Sequence, residues 1–68
     1  MSLRIRVNGA DEPLTAPNVA ALLKARGIER ARGVAVAING TVVPSRAWPE
    51  RVLAAGDQIE IVRPFGGG

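Results

Sequence analysis

Cysteine, histidine and tyrosine are all absent from this 68-residue sequence. Without cysteine there can be no disulfide, no thiolate nucleophile and no thiolate metal ligand. Without histidine the usual near-neutral general base and the commonest metal ligand are both missing. Aromatic residues are scarce too, with only Trp48 and Phe65 present. No apolar run approaches the roughly 18 residues that cross a bilayer. The opening Met1-Ser2-Leu3-Arg4-Ile5-Arg6-Val7 alternates apolar and basic residues, so it lacks the continuous apolar segment of a secretory signal. A cytoplasmic location and no membrane association are therefore expected. Charge of one sign is not concentrated either. Nine Lys and Arg against six Asp and Glu give +3, within the range that keeps a small domain soluble. The basic residues are dispersed, and Glu29 interrupts the one loose group, Arg26 to Arg32. This argues against a nucleic-acid surface.

What remains is a hydrophobic core, and 47% apolar residues make one available. Leu3, Ile5 and Val7 alternate with Arg4 and Arg6, the period of a half-buried strand. Asn8-Gly9 tolerates the positive φ of a hairpin turn. Pro13-Leu14-Thr15-Ala16 is expected to return as a short edge strand, with its proline at the strand start. Asn18 reads as a helix N-cap. Val19, Leu22 and Leu23 then form one apolar stripe, Lys24 and Arg26 suit the helix C-terminus, and Gly27 supplies a left-handed stop. Val34 to Ile38 reads as a central buried strand. Asn39-Gly40 predicts a hairpin into Thr41-Val42-Val43. The proline-flanked Ser45-Arg46-Ala47-Trp48 predicts a single 3₁₀-type turn, with Trp48 as an anchor at the core edge, an interface contact being the alternative. Gly56-Asp57 turns the chain into Gln58 to Val62, the last strand. A core of Leu3, Ile5, Val7, Leu22, Leu23, Val36, Ile38 and Ile61 follows. The fold class is α+β: a mixed sheet of about five strands packed on one α-helix, in the β-grasp or ubiquitin-like arrangement. Residues 1–68 are expected to form a single such domain with a flexible C-terminal tail, 63–68.

No enzyme chemistry is assembled by these residues. Ser2 and Ser45 have no base in view, and the carboxylates have no metal-site or acid–base spacing. The glycines at the end have no lysine and no helix after them, so they are no phosphate loop. The sequence ends Arg63-Pro64-Phe65-Gly66-Gly67-Gly68. Two terminal glycines arise by chance about once in 200 chains, given glycine's average usage. A terminal carboxylate becomes reactive when adenylation supplies a leaving group, and glycines let a backbone thread closely into a partner's site. Pro64 ends the sheet because it offers no ladder N–H. Phe65, beyond the last strand, is expected to contact a partner.

The ordered series Val7-Asn8-Gly9, Asn18-Val19, Leu22-Leu23, Val36-Ala37-Ile38-Asn39-Gly40, Val42-Val43-Pro44, Trp48, Leu53, Gly56-Asp57, Ile59-Ile61-Val62 and Gly67-Gly68 resembles the thiamine-biosynthesis sulfur carrier family (ThiS), within the wider ubiquitin-like MoaD/ThiS carriers. That resemblance implies a protein cosubstrate and not an enzyme. An E1-like adenylyltransferase (ThiF-like) would adenylate Gly68 using ATP and Mg²⁺, none of which the chain itself would bind as a cofactor. A cysteine desulfurase or other sulfur donor would convert Gly68 to a thiocarboxylate, and a thiazole synthase (ThiG-like) would accept the sulfur. Pro64, Phe65, Gly66 and Gly67 would form the segment that enters the partner's channel. The same chemistry could serve molybdopterin, cysteine or thio-tRNA synthesis, or a ubiquitin-like modifier. A basic RNA-binding module using the Arg-rich loop is a more remote alternative.

Overall fold

The computed structural model describes residues 3–28 and 32–63. Five strands and one helix make up the frame: β1 (Arg4–Val7), β2 (Ala10–Pro13), α1 (Val19–Ala25), β3 (Ala35–Ile38), β4 (Thr41–Val43) and β5 (Gln58–Val62), with a 3₁₀ turn at Ser45–Ala47. The strands form one sheet in the order β2-β1-β5-β3-β4. β1 and β5 run parallel, whereas the other three pairings are antiparallel. The strand that comes last in sequence is thus the centre of a mixed sheet, with the first strand beside it. This is the β-grasp arrangement.

Both hairpins are set by the same dipeptide. Val7 pairs with Ala10, and Ile38 with Thr41, leaving two-residue loops at Asn8-Gly9 and Asn39-Gly40. All four loop residues have positive φ: 53° and 84° in the first loop, 52° and 85° in the second. Two successive positive φ values match the twist of the strands on either side, and the Asn-Gly pair adopts them at low cost.

That tight loop corrects the expected second strand. A two-residue turn leaves no slack, so pairing resumes at Ala10, and the strand ends at Pro13 where it was expected to begin. The backbone then adds one more bond, Leu14 N–H to Leu3 O at 2.9 Å. The proline is tolerated because β2 is an edge strand.

Helix α1 has both ends closed. Asn18 sits in extended conformation, and its side chain accepts from the Ala21 N–H at 2.8 Å. At the other end Gly27 has φ of 79°. Ile28 N–H reaches Leu23 O at 2.9 Å and Gly27 N–H reaches Lys24 O at 3.0 Å, the paired bonds of a glycine-terminated helix. The caps matter because seven residues are too few to hold a helix in water alone. Packing supplies the rest: Val19, Leu22 and Leu23 are buried against one face of the sheet.

The core comprises Ile5, Val7, Val19, Leu22, Leu23, Val36, Ile38, Val43, Trp48, Leu53, Ile59 and Ile61. It includes every expected member but Leu3, which is 59% exposed. Leu3 keeps the alternation but precedes β1 at the sheet's end, where the apolar layer does not extend over it. β3 is also less enclosed than a continuous apolar run suggested. It starts at Ala35, and only Val36 and Ile38 are buried. Its other face carries small alanines that need no cover. Val52 is exposed, while its neighbour Leu53 is buried.

Surface ion pairs add little. Arg4 and Asp11 meet at 2.5 Å across β1 and β2, with about half of each side chain exposed. Pairs of this kind contribute roughly 0–1 kcal/mol.

Stability therefore rests on the layer between helix and sheet. Leu23 is 2% exposed at its centre. Leu23→Ala should lower the unfolding free energy by about 2–5 kcal/mol, read from the denaturant midpoint. A loss below about 1 kcal/mol would show that the helix packs by another face.

Candidate functional site

The segment singled out by the sequence, Pro64, Phe65, Gly66, Gly67 and Gly68, lies outside the described residues, as does the Glu29–Ala31 part of the Arg-rich loop. What the structure does describe is the strand that precedes that segment in the sequence. The flexible tail was expected from residue 63; Arg63 directly follows the central strand β5 and is the last described residue.

β5 is held on both sides. Towards β3 it pairs continuously, Ile38 with Ile59 through Ala35 with Val62. Towards β1 the backbone pairing runs out, because β1 ends at Val7 and the chain turns away at Asn8. The Asn8 side chain takes over at that point. Its backbone N–H donates to Ile59 O at 2.8 Å. Its Oδ1 accepts from Ile61 N–H at 2.8 Å, and its Nδ2 donates to Ile61 O at 3.3 Å. The carboxamide presents the same donor and acceptor as a peptide group, so it extends the ladder by one rung that no backbone supplies.

The opposite end of β5 is held in the same manner. Asn39 N–H donates to Gln58 O at 2.8 Å, and Asn39 Oδ1 accepts from Gln58 N–H at 2.9 Å. Asn39 Nδ2 donates to Asp57 Oδ1 at 3.0 Å, and Asp57 Oδ2 accepts from Ala54 N–H at 2.9 Å. Asp57 is 7% exposed, with Arg51 at 3.8 Å. A buried carboxylate is stable only with such partners. The Gly56-Asp57 turn was legible in the sequence; the bonds to Asn39 and Ala54 were not.

Beside Arg63 lies a cleft of about 270 Å³ lined by Asn8, Arg26, Ile28, Ile61 and Arg63. Its lining includes two isoleucines and two guanidinium-bearing side chains. Arg26 also pairs with Glu12 on β2. The loose basic group of the sequence is thus split, with one member committed to an ion pair.

Trp48 is placed as expected. It follows the 3₁₀ turn, is 7% exposed, and its Nε1–H donates to Val43 O at 2.9 Å. It seals the end of the core near β4 and the start of α1, where Trp48 O accepts from Ala20 N–H at 3.1 Å.

Among the described residues no group of three or more His, Cys, Asp or Glu side chains could hold a metal, and no helix is long and apolar enough to cross a membrane.

Among the described residues, one capped helix lies across a mixed five-stranded sheet whose last strand is central, and this arrangement defines a ubiquitin-like β-grasp protein. The family model described as the ThiS family matches residues 5–68, and the chain belongs to that family. Two solved structures from Geobacter metallireducens are similar over nearly its whole length. One is the crystal structure of a thiamine biosynthesis protein (ThiS), the other an NMR solution structure of a thiamine biosynthesis protein. Each has a TM-score of 0.78 and 30% identity over 97% of this chain, covering 100% and 88% of the respective relative. No curated protein matches the sequence.

Trp48 is the only tryptophan, which makes its environment measurable. Trp48→Phe removes the indole donor and leaves the Val43 carbonyl without it. A loss of about 1–3 kcal/mol in stability is expected, and wild-type fluorescence should shift to longer wavelength on unfolding. An emission already at the solvent-exposed position in the native state would contradict the burial.

Proposed function

We propose that this chain is a sulfur carrier for thiamine biosynthesis, with the carboxylate of Gly68 as its working group. The observation that carries the reading is the extent of the family match, which runs to residue 68 and so includes the glycine run. Two further observations support it. The solved relatives are thiamine biosynthesis proteins, and the sequence has no His or Cys with which to run chemistry itself.

In this reading the chain is a cosubstrate, and its partners do the catalysis in the cytoplasm. The Gly68 carboxylate attacks the α-phosphorus of ATP on an E1-like, ThiF-like adenylyltransferase that uses Mg²⁺, and pyrophosphate leaves. A sulfur donor such as a cysteine-desulfurase persulfide then attacks the acyl carbon and expels AMP, which carries away the displaced oxygen. A thiol supplies the two electrons needed when the donor is a persulfide. The resulting thiocarboxylate passes its sulfur to a ThiG-like thiazole synthase. Gly66 and Gly67 present no side chain to a narrow channel, and Pro64 and Phe65 form the approach to it. Such a cycle asks two things of the carrier: a body that a partner can grip, and an end thin enough to enter an active site.

The position of the reacting carbon is the testable core of the reading. Deleting Gly68, or appending one residue to it, should abolish ATP-dependent adenylation and thiocarboxylate formation while leaving the thermal unfolding of the body unchanged. Reacting atoms must approach within roughly 3–3.5 Å, and a one-residue error moves the carboxylate by about its whole residue length. Intact-protein mass after incubation with ATP, the activating enzyme and a sulfur source should show oxygen replaced by sulfur in the wild type alone. Equal thiolation of the shortened or extended protein would place the sulfur elsewhere and refute the mechanism.

A further inference from the structure

We propose that Asn39-Gly40 is a deamidation site that the folded sheet holds closed and whose product the same sheet cannot take back. This chemistry is independent of the carrier role. Of the three asparagines, Asn8 and Asn39 are followed by glycine. An asparagine so placed can react with its own backbone, because glycine puts no side chain in the way of the attack. The Gly40 nitrogen gives its proton to base and bonds to Asn39 Cγ; the Cγ–Nδ2 bond breaks and ammonia leaves. Water then opens the resulting imide ring at one carbonyl or the other, leaving an aspartyl or an isoaspartyl residue. Nothing is oxidised or reduced. Asn39 and Gly40 are both exposed, so water and base reach the turn.

The fold opposes the first step. Asn39 Oδ1 accepts from Gln58 N–H at 2.9 Å, and Nδ2 donates to Asp57 Oδ1 at 3.0 Å. A carboxamide held through both heteroatoms cannot swing its carbon onto its own following nitrogen until those bonds break. Reaction therefore proceeds through the fraction of molecules in which the turn has opened.

The product then meets Asp57. A carboxylate in place of the carboxamide still accepts from Gln58 N–H, but its second oxygen faces Asp57 Oδ1 across the 3.0 Å that the hydrogen bond spanned. Asp57 is 7% exposed, and its other oxygen is engaged with Ala54 N–H. Like charges this close repel, the more so where water is largely excluded. Arg51, 3.8 Å from Asp57, offsets only part of that repulsion. The isoaspartyl product fits no better, since it adds a backbone carbon to a two-residue turn without slack. Asn8-Gly9 supplies the contrast. Asn8 Oδ1 accepts from Ile61 N–H at 2.8 Å, and Nδ2 donates to Ile61 O at 3.3 Å. Conversion to aspartate there keeps the shorter bond and loses one to a carbonyl, not to a carboxylate. Deamidation at Asn39 is thus a one-way exit from the folded state, and at Asn8 it is not.

The experiment ages the full chain in mildly alkaline buffer, with and without urea, and follows the amide-to-acid mass change at each turn. Trypsin separates the two, on peptides 7–24 and 33–46. Conversion at Asn39 should be on the order of tenfold or more slower without urea, since only the opened fraction reacts. Chains modified at Asn39 should fall in the fraction that a protease cleaves, and chains modified at Asn8 in the fraction that resists it. Equal rates at Asn39 with and without urea would overturn the guarding role of its hydrogen bonds, and no conversion in urea would remove the site altogether. Defined variants isolate the charge. N39D should lower the urea midpoint more than N8D, although aspartate visits positive φ much as asparagine does. N39D/D57N should recover most of that loss because it exchanges donor and acceptor: the carboxamide at position 57 then donates to the carboxylate at 39 and still accepts from Ala54 N–H. The exchanged pair carries the test if N39D does not fold. An N39D protein as stable as N8D, or an exchange that recovers nothing, would overturn the incompatibility with Asp57.

Discussion

The structure depends on the clamping of one strand. β5 lies between two partners that run in opposite directions, and neither partner's backbone matches it along its full length. Two asparagines complete the fit, one at each end, each held at a positive φ that most residues avoid. The conformation and the side chain serve different purposes: the left-handed backbone turns the hairpin, and the carboxamide thereby aimed at β5 replaces a missing peptide group. At the part-buried Ile61 rung an unsatisfied group would cost about 1–3 kcal/mol, a large share of what so small a domain has in reserve. The helix depends on the same strand in turn, because Ile59 and Ile61 are among the residues beneath it.

Much of this was visible in the residues alone. Strand periodicity, the capped helix, the two Asn-Gly turns and the proline-flanked 3₁₀ turn are local features, and local physics writes them into adjacent residues. The misplaced second strand was a failure of local reading: Pro13 looks like a beginning, yet a two-residue turn had already committed Ala10 to pairing. Leu3 failed for another reason. Its alternation is correct, but whether an alternating residue is covered depends on how far the opposing layer extends, which no period records. The roles of Asn8, Asn39 and Asp57 were concealed more thoroughly. Each is already explained as a turn residue, so nothing in the sequence asks for a second explanation. Their side-chain bonds to β5 span 53 residues for Asn8 and 19 for Asn39, and only the assembled sheet brings them together.

The candidate site divides along the same line. The glycine run is conspicuous because its composition is improbable, and the family match extends through it. The surroundings of its root, the cleft between Arg26 and Arg63 and the rung at Ile61, are a product of topology. A carrier of this design separates two requirements that enzymes combine. In the proposed reading the sheet supplies the body that a partner grips, and the chemistry falls to the carboxylate of Gly68.

The central place of β5 also orders events during synthesis. The strands that flank it are made first, as two hairpins that share no backbone bond with each other; β1 and β3 become neighbours only through the strand that arrives after both. Long-range pairing of this kind must wait for its last participant. A nascent chain interrupted before Gln58 lacks the middle of its sheet and the glycine run together. The sheet therefore closes only after the chain has been made past the central strand, and under the proposed function the glycine run follows within a few residues of that point.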